Sequence, residues 1–430
     1  MGWYRYFNTR EGIMLRKLLL PVVAAFIIAG LFTIMSCGKT EESQKPADTK
    51  KTEAPAKVAE KPAEPFIFGL LLVGPYNDHG WSQAHYEGGL YVEKNVPSTK
   101  MIYIDKVNPA DRAGVTIPML VDDMAEKGAK LIIANSDDMK DGTREAALKH
   151  PDIKFIHISG DDVLTGKGSP NLGNLMGKME YGKMMAGFAA AMTTKTGKIG
   201  YLGPLINEET RRLVASCFLG AKYAWTEVLK KDPADLQFKV TWIGFWFNIP
   251  GVTSDPTQVA QNFFDTGYDV LISGIDTTEA VIVAGQKRGQ GKEVWAIPYD
   301  YEGACEGGSD VCLGVPYFNW GPDYVRVIKQ TMAGQWQAAW TWSGPDWSDI
   351  NNHGTSTVGY KKGDALSAEA GQALDTFIKG LGDGSINLFK GPLNYQDGSP
   401  YVKAGEVASD KEIWYMEQLL AGIEGQSSAK

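Results

Sequence analysis

The sequence predicts two doubly wound α/β lobes joined by a hinge. Three observations carry this: apolar runs alternate with helical stretches, the alternation restarts midway, and the globular part is too long for one core. Near-continuous apolar strands separated by amphipathic helices belong to parallel sheets covered on both faces. About 365 residues follow the N-terminal segments, beyond the roughly 250–300 at which single cores divide.

In the first half, strands are expected over 66–73, 101–104, 131–134 and 155–158, with helices over 82–94 and 143–149. Between them Ile117, Leu120, Val121 and Met124 recur at helical spacing. After residue 177 the pattern repeats, with strands over 198–202, 238–243, 270–273 and 294–297. A later strand over 311–318 and a helix over 324–332 follow. The lobes are accordingly assigned 66–175 with 318–338, and 176–317 with 339–424. Trp340 and Trp342, two apart, suit a half-buried strand. A helical run over 412–423 is expected to pack on a lobe as a closing element. Cys217 lies in an apolar helical run and reads as a small core residue.

The N-terminus reads as an export signal over 1–36. Arg16 and Lys17 lead into an apolar run over 18–35, and a basic segment before an apolar one is the secretory layout. Ile34-Met35-Ser36-Cys37 resembles the lipobox of bacterial lipoproteins, which makes Cys37 the lipidated first mature residue. The alternative is a single membrane-spanning anchor, since 18 residues nearly cross a bilayer. Residues 37–65 are dominated by Lys, Glu, Pro and Ala and hold no aromatic, so they read as a disordered tether. The expected location is therefore the cell envelope, lipid-anchored and facing the periplasm or the exterior.

The chain carries a net charge of −8. Its first 36 residues hold four basic and one acidic residue, so the mature chain stands at −11. That acidity argues against nucleic-acid binding, which needs basic patches. Cys305 and Cys312 bound a Gly-rich loop and, outside the cytoplasm, either close a disulfide or stand as free thiols.

Ligands of such sheets bind beyond the carboxyl ends of strands. Those ends here carry Asn77, Asp78 and Trp81; Asp137; Trp246 and Phe247; Asp276; Asp300; and Asn319. Aromatic faces stack planar ligands, while Asp and Asn orient them through hydrogen bonds. Asn, Asp and Gly are also ordinary turn residues, and it is the repetition over six ends that points to a cleft. Nothing points to catalysis: there is no Gly-x-Ser-x-Gly elbow, no phosphate loop and no metal-ligand spacing among the five histidines. Asp137-Asp138 and Asp161-Asp162 are chain neighbours whose side chains diverge, and they read as turns. No cofactor, metal or catalytic residue is expected.

Val73-Gly74-Pro75-Tyr76-Asn77-Asp78-His79-Gly80-Trp81, the segment 247–256, Trp320-Gly321-Pro322, and Gly391-Pro392 with Gln396-Asp397-Gly398-Ser399 together resemble the basic membrane protein family. These are substrate-binding lipoproteins of ABC transporters that bind purines or purine nucleosides. The resemblance implies a type I periplasmic-binding fold with three hinge crossings, a monomer, and permease and ATPase partners. It implies a base held between Trp81 and Trp246 or Phe247, its edge on an acidic residue of the first lobe, whose matching loops here carry Asn77, Asp78 and Asp137. Ribose hydroxyls would fall to Asp276. Nucleoside-binding members carry a lysine on the late crossing strand, where this chain has Val315-Pro316-Tyr317-Phe318-Asn319-Trp320. Gly80-Trp81 also replaces their Ser-Phe. Both features resemble the branch that takes a free base such as adenine, which ranks a free purine above a nucleoside. The alternatives are a binder of another small ligand, such as a sugar or a signalling molecule, and a ligand sensor not coupled to transport.

Overall fold

The computed structural model describes residues 64–428. The expected signal, Cys37 and the tether up to residue 63 lie outside the described residues. The first lobe is built from β1 (Phe66–Leu71), α1 (Trp81–Asn95), β2 (Thr99–Ile104), α2 (Ile117–Glu126), β3 (Ala129–Ala134), α3 (Lys140–Lys149), β4 (Lys154–Ile158) and β5 (Leu172–Gly177). Its strands are parallel in the order β5-β4-β3-β1-β2. The second continues with α4 (Met179–Thr193), β6 (Lys198–Gly203), α5 (Glu208–Tyr223), β7 (Gln237–Trp242), α6 (Pro256–Asp265), β8 (Val270–Ser273), α7 (Glu279–Gly289) and β9 (Trp295–Ile297). Its sheet is also parallel, in the order β7-β6-β8-β9.

The chain then runs back through β10 (Gly314–Phe318) to α8 (Gly321–Met332) and β11 (Trp340–Ser343), and leaves again to β12 (Val358–Lys362), which pairs antiparallel with β10. After α9 (Ala368–Gly382), the short strands β13 (Leu393–Asn394) and β14 (Pro400–Val402) and the helix α10 (Asp410–Trp414), β15 (Ile423–Glu424) joins the second sheet beside β7. The chain thus passes between the sheets after β5, through β10, and between β11 and β12.

Each lobe has its own apolar core. The helix α4 is buried almost all round, so it shows no polar face. It lies against α5 because Gly187 and Gly220 have no Cβ: one there would sit 1.8 Å from the Cys217 carbonyl oxygen or 2.0 Å from that of Met184. Cys217 is fully buried at this contact, as its apolar setting implies.

Two sequence expectations need correction. Residues from 339 onward were assigned to the second lobe, yet β11 extends the first sheet by pairing parallel with β5. It is the half-buried strand that the Trp340/Trp342 spacing implies, and both indoles pack edge-on against Trp414, at 5.0 and 5.1 Å. Its partner β5, Leu172-Gly173-Asn174-Leu175-Met176-Gly177, is a fully buried strand despite a composition closer to that of a loop. The helix expected over 412–423 stops at Trp414. The Ser409–Glu412 capping box starts it. Beyond it the backbone is engaged from outside, the Arg211 guanidinium donating to the Met416 carbonyl oxygen (2.8 Å), so the segment lies flat on α5.

Candidate functional site

The carboxyl ends of both parallel sheets face one another, and the loops leaving them form a slot. On the first lobe the slot wall is Trp81, the first residue of α1. Its indole N–H donates to the Asn135 carbonyl oxygen (2.7 Å), and its ring stands edge-on to His85 (4.5 Å), Phe318 (5.2 Å) and Trp320 (5.6 Å). His85 is fully buried and pairs with the Tyr324 hydroxyl; burial holds its pKa well below the ordinary value, so the ring is neutral. Trp81 is therefore fixed before any ligand arrives.

On the second lobe, Trp246 lines the slot from the loop after β7. Its indole N–H donates across the cleft to Asp138 (3.0 Å), and its carbonyl accepts from the Asp276 N–H (2.9 Å). Asp276 in turn meets the first lobe: a Cβ on Gly80 would lie 1.7 Å from the Asp276 carbonyl oxygen. The lobes are closed on each other, backbone against backbone. The slot encloses about 440 Å³ counting its mouth, but only about 20 Å³ where a water's centre can sit, so it is narrow.

Its polar groups are three carboxyls among hydroxyls and the Asn135 amide. Asp137, Glu209 and Asp276 all line it, and burial pushes each carboxyl above its ordinary pKa. Glu209 arrives there because Asn207 and Thr210 form a reciprocal cap at the start of α5, which fixes its first turn over the slot. Ser159, with φ of 63°, is held in the left-handed region at the same edge, a conformation that costs about 1–3 kcal/mol and gathers at functional sites. Tyr201 and Tyr299 line the slot on the Asp276 side. Behind Tyr299 sits Lys183, fully buried, donating to the Ser273 carbonyl oxygen (2.7 Å) with its ammonium 3.2 Å from the Tyr299 ring centre. Burial lowers the Lys183 pKa to about 7, while the neighbouring Asp300 opposes that shift.

Asp276 and Asp300 are both buried carboxyls driven well up, Asp276 by burial first and then by the charge of Asp300, Asp300 by burial against the pull of Lys183. Closing the lobes over Asp276 thus takes up a proton wherever the open form leaves it ionised. The gain is complete below the ordinary carboxyl value near 3.9 and is lost as pH rises through the raised value. Ligand affinity is expected to weaken as pH rises above the ordinary carboxyl range, with proton uptake seen by calorimetry in buffers of different ionisation enthalpy. Asp276→Asn should flatten that profile; a wild-type affinity independent of pH would refute the coupling.

Of the residues singled out from sequence, the slot brings together Trp81, Asp137, Trp246 and Asp276. Five stand elsewhere. Asn77 is exposed on the first loop. Asp78 caps α1, accepting from the N–H groups of Gly80, Ser82 and Gln83 at 2.9–3.0 Å, and burial lifts its pKa to about 6. Phe247 packs edge-on against Phe245 (5.0 Å), outside the slot lining. Asp300 lies behind the wall beside Lys183, fully buried with φ of 72°. Asn319 ties the crossing strands, donating to the carbonyl oxygens of His353 (3.1 Å) and Ser356 (2.7 Å). Cys305 and Cys312 are joined as a disulfide, behind the second sheet's edge. His157 is a satisfied core residue, bound to Asp162 and to the Ser136 carbonyl oxygen. Among the described residues no cluster suited to a metal ion occurs, and no helix is long and apolar enough to cross a membrane.

The sequence profile of the ABC transporter substrate-binding proteins described as PnrA-like, the basic membrane protein family, matches residues 67–344. The chain belongs to this family. A purine-binding protein of Brucella abortus is 27% identical over 83% of this chain and 92% of its own length. A Haloferax volcanii protein, provisionally named a glucose-binding component of an ABC transporter, is 25% identical over 64% of this chain and 63% of its own. Among solved structures, a solute-binding protein of Aeropyrum pernix superposes with a TM-score of 0.59 at 12% identity, over 75% of this chain and 92% of that one. The fold is that of the periplasmic binding proteins, type I. Family membership makes this chain a substrate-binding protein of an ABC importer, acting outside the cytoplasm.

Proposed function

We propose that the chain captures a purine, a free base such as adenine ahead of a nucleoside, by closing Trp81 and Trp246 over the ring, and that it does so as the lipid-anchored receptor of an importer. The observation that carries this reading is a narrow slot with an indole on each lobe and carboxyls along its edges. Flat rings fit where puckered ones need more height, and the exocyclic amino group and ring N–H of adenine are donors to Asp137, Glu209 and Asp276. The Trp81 indole is anchored within its own lobe through its N–H, so little of its side-chain freedom remains to be lost on binding, and closure adds the Trp246 N–H bond to Asp138. Micromolar or tighter affinity, about −8 kcal/mol or better, is expected. The name of the Brucella relative supports the same ligand class.

Calorimetry of ligand-free protein against adenine, hypoxanthine, guanine, adenosine, guanosine, ribose and glucose tests the proposal. Binding of a free base, with its nucleoside weaker, supports it; a response to glucose alone would refute it. Trp246→Ala, at a half-buried rim position, should weaken purine binding roughly 10- to 100-fold, the value of one stacking face. Melting temperature without ligand should barely change. Binding unaffected by this substitution would remove the second lobe's stacking role.

A further inference from the structure

We infer that the loop leaving β3 is a gauge that sets the spacing of the two indoles, and that Asp138 is the residue that positions Trp246 against a flat ring. The inference rests on reading the slot as a base site. Both indole N–H groups end on this one loop: Trp81 donates to the Asn135 carbonyl oxygen (2.7 Å) and Trp246 to the Asp138 carboxylate (3.0 Å). The two anchors are three residues apart in the chain, so their backbones stand within about 10 Å of each other.

The stretch between the anchors is stiff. The Asn135 side chain accepts from the Val73 N–H (2.9 Å), and its own N–H donates to the Leu71 carbonyl oxygen (3.1 Å). The Ser136 carbonyl oxygen meets the His157 ring (3.0 Å) and accepts from the Met139 N–H (3.0 Å), which closes a single 3-10 turn over Asp137–Met139. Asn135 and Ser136 are buried in the first lobe. A flat ring stacked on both sides needs its walls about 7 Å apart, two carbon contacts of 3.5 Å each. A short loop tied at every residue can hold such a spacing; a long or mobile one could not.

The two walls differ in when they are set. Trp81 is tied within its own lobe. The Trp246 carbonyl is tied within the second lobe by the Asp276 N–H (2.9 Å), but its indole N–H is answered only across the cleft, by Asp138. A ligand therefore meets a finished wall on the first lobe, and the second wall is set as the lobes close. Asp138 is exposed at the rim and lies outside the slot lining, whereas its neighbour Asp137 is part of it. Asp138 acts through Trp246. Fixing a wall in this way adds affinity by cutting the freedom left to lose, and it does so mainly by slowing dissociation.

The experiment is a double-mutant cycle on the full chain, with adenine affinity read by calorimetry and rates by stopped flow. Asp138→Ala should weaken adenine about fivefold, the worth of one hydrogen bond at a wet rim, and nearly all of it as faster dissociation. Trp246→Phe keeps a stacking face without the N–H and should lose at least as much. In that background Asp138→Ala should cost nothing further, because the bond is already gone. Asp138→Asn, whose amide oxygen still accepts, should stay within about twofold of the unmodified protein. Losses that multiply in the double variant, Asp138→Asn as weak as Asp138→Ala, or unchanged dissociation in Asp138→Ala would each overturn the gauge. Adenine binding with any of these results leaves the base reading standing; silence from every purine overturns both.

Discussion

Valine at Gly80 is expected to abolish ligand capture while leaving both lobes folded. The closed form puts the Gly80 backbone where any Cβ would be 1.7 Å from the Asp276 carbonyl oxygen and 2.6 Å from its carbon. Both are backbone atoms, so no rotamer relieves the overlap. Gly80 also has φ of −149° and ψ of −131° at the start of α1, where a branched side chain fits poorly. The lobes would have to stay ångströms apart, and the two indoles could no longer touch one ligand together. Capture is a shift of population toward the closed form, and the shift is limited by how much better that form binds. Losing the second face and the acceptors on Asp276 should lower affinity about a thousandfold, or about 4 kcal/mol. Calorimetry would read the affinity, and small-angle scattering would read closure, with the wild type contracting on ligand addition and the variant not. Since the lobes do not depend on this contact for their cores, the ligand-free melting temperature should move little. Wild-type affinity in Gly80→Val would mean that the ligand binds one lobe and that the closed contact is dispensable.

How far the sequence disclosed this site follows from what a sequence encodes locally. Apolar runs and turn residues identify strands and the loops leaving them, so Trp81, Asp137, Trp246 and Asp276 were reachable as strand-end residues on opposed lobes. Which side chain of a loop points inward is decided by its neighbours. Asp78 and Trp81 share one loop, but Asp78 meets the N–H of Gly80 and two N–H groups of the first helical turn and becomes a cap. Asn319 likewise is drawn to carbonyls of the adjoining crossing segment. Residues that reach the slot through tertiary folding left a weaker trace. Tyr201 sits within a buried strand, and Lys183 on a helix whose burial all round conceals any face. Glu209 was the recoverable omission: Asn207 followed by Thr210 marks a helix start, and it comes directly after a strand end, which places an acidic first turn at the cleft. The β11 strand shows the other limit. Its period-two indoles revealed a strand, but nothing in four residues says which sheet they join.

Arg212→Ala is expected to have the largest effect on stability, and it also bears on closure. Arg212 and Glu180 are 2% and 4% exposed, joined at 2.6 Å, with the guanidinium 4.2 Å from the centre of the Trp414 ring and donating to the Trp414 carbonyl oxygen (3.4 Å). Removing one partner of a buried ion pair leaves the other's charge unanswered, at about 3–5 kcal/mol. At about 2–4 °C per kcal/mol the melting temperature should fall by about 10 °C. Burial already pushes the Glu180 carboxyl upward against the pull of Arg212, so without the guanidinium its pKa rises further. The sign of the pH dependence follows: a carboxyl raised in the folded state favours folding below its ordinary pKa and loses that advantage as pH rises. The variant's deficit should therefore shrink as pH falls toward the ordinary carboxyl range and widen as pH rises above it. Glu180→Leu with Arg212→Met should recover most of the stability, because an apolar pair of similar volume replaces two buried charges. Ligand affinity should not recover with it. Arg212 holds the Trp414 carbonyl, and the next residue, Tyr415, donates to Asp161 of the first lobe (3.0 Å), so this guanidinium anchors a strap that reaches from α5 to the far side of the cleft. A double variant as stable as wild type yet weaker in binding separates the strap from the ion pair; equal recovery of both would assign Arg212 to stability alone.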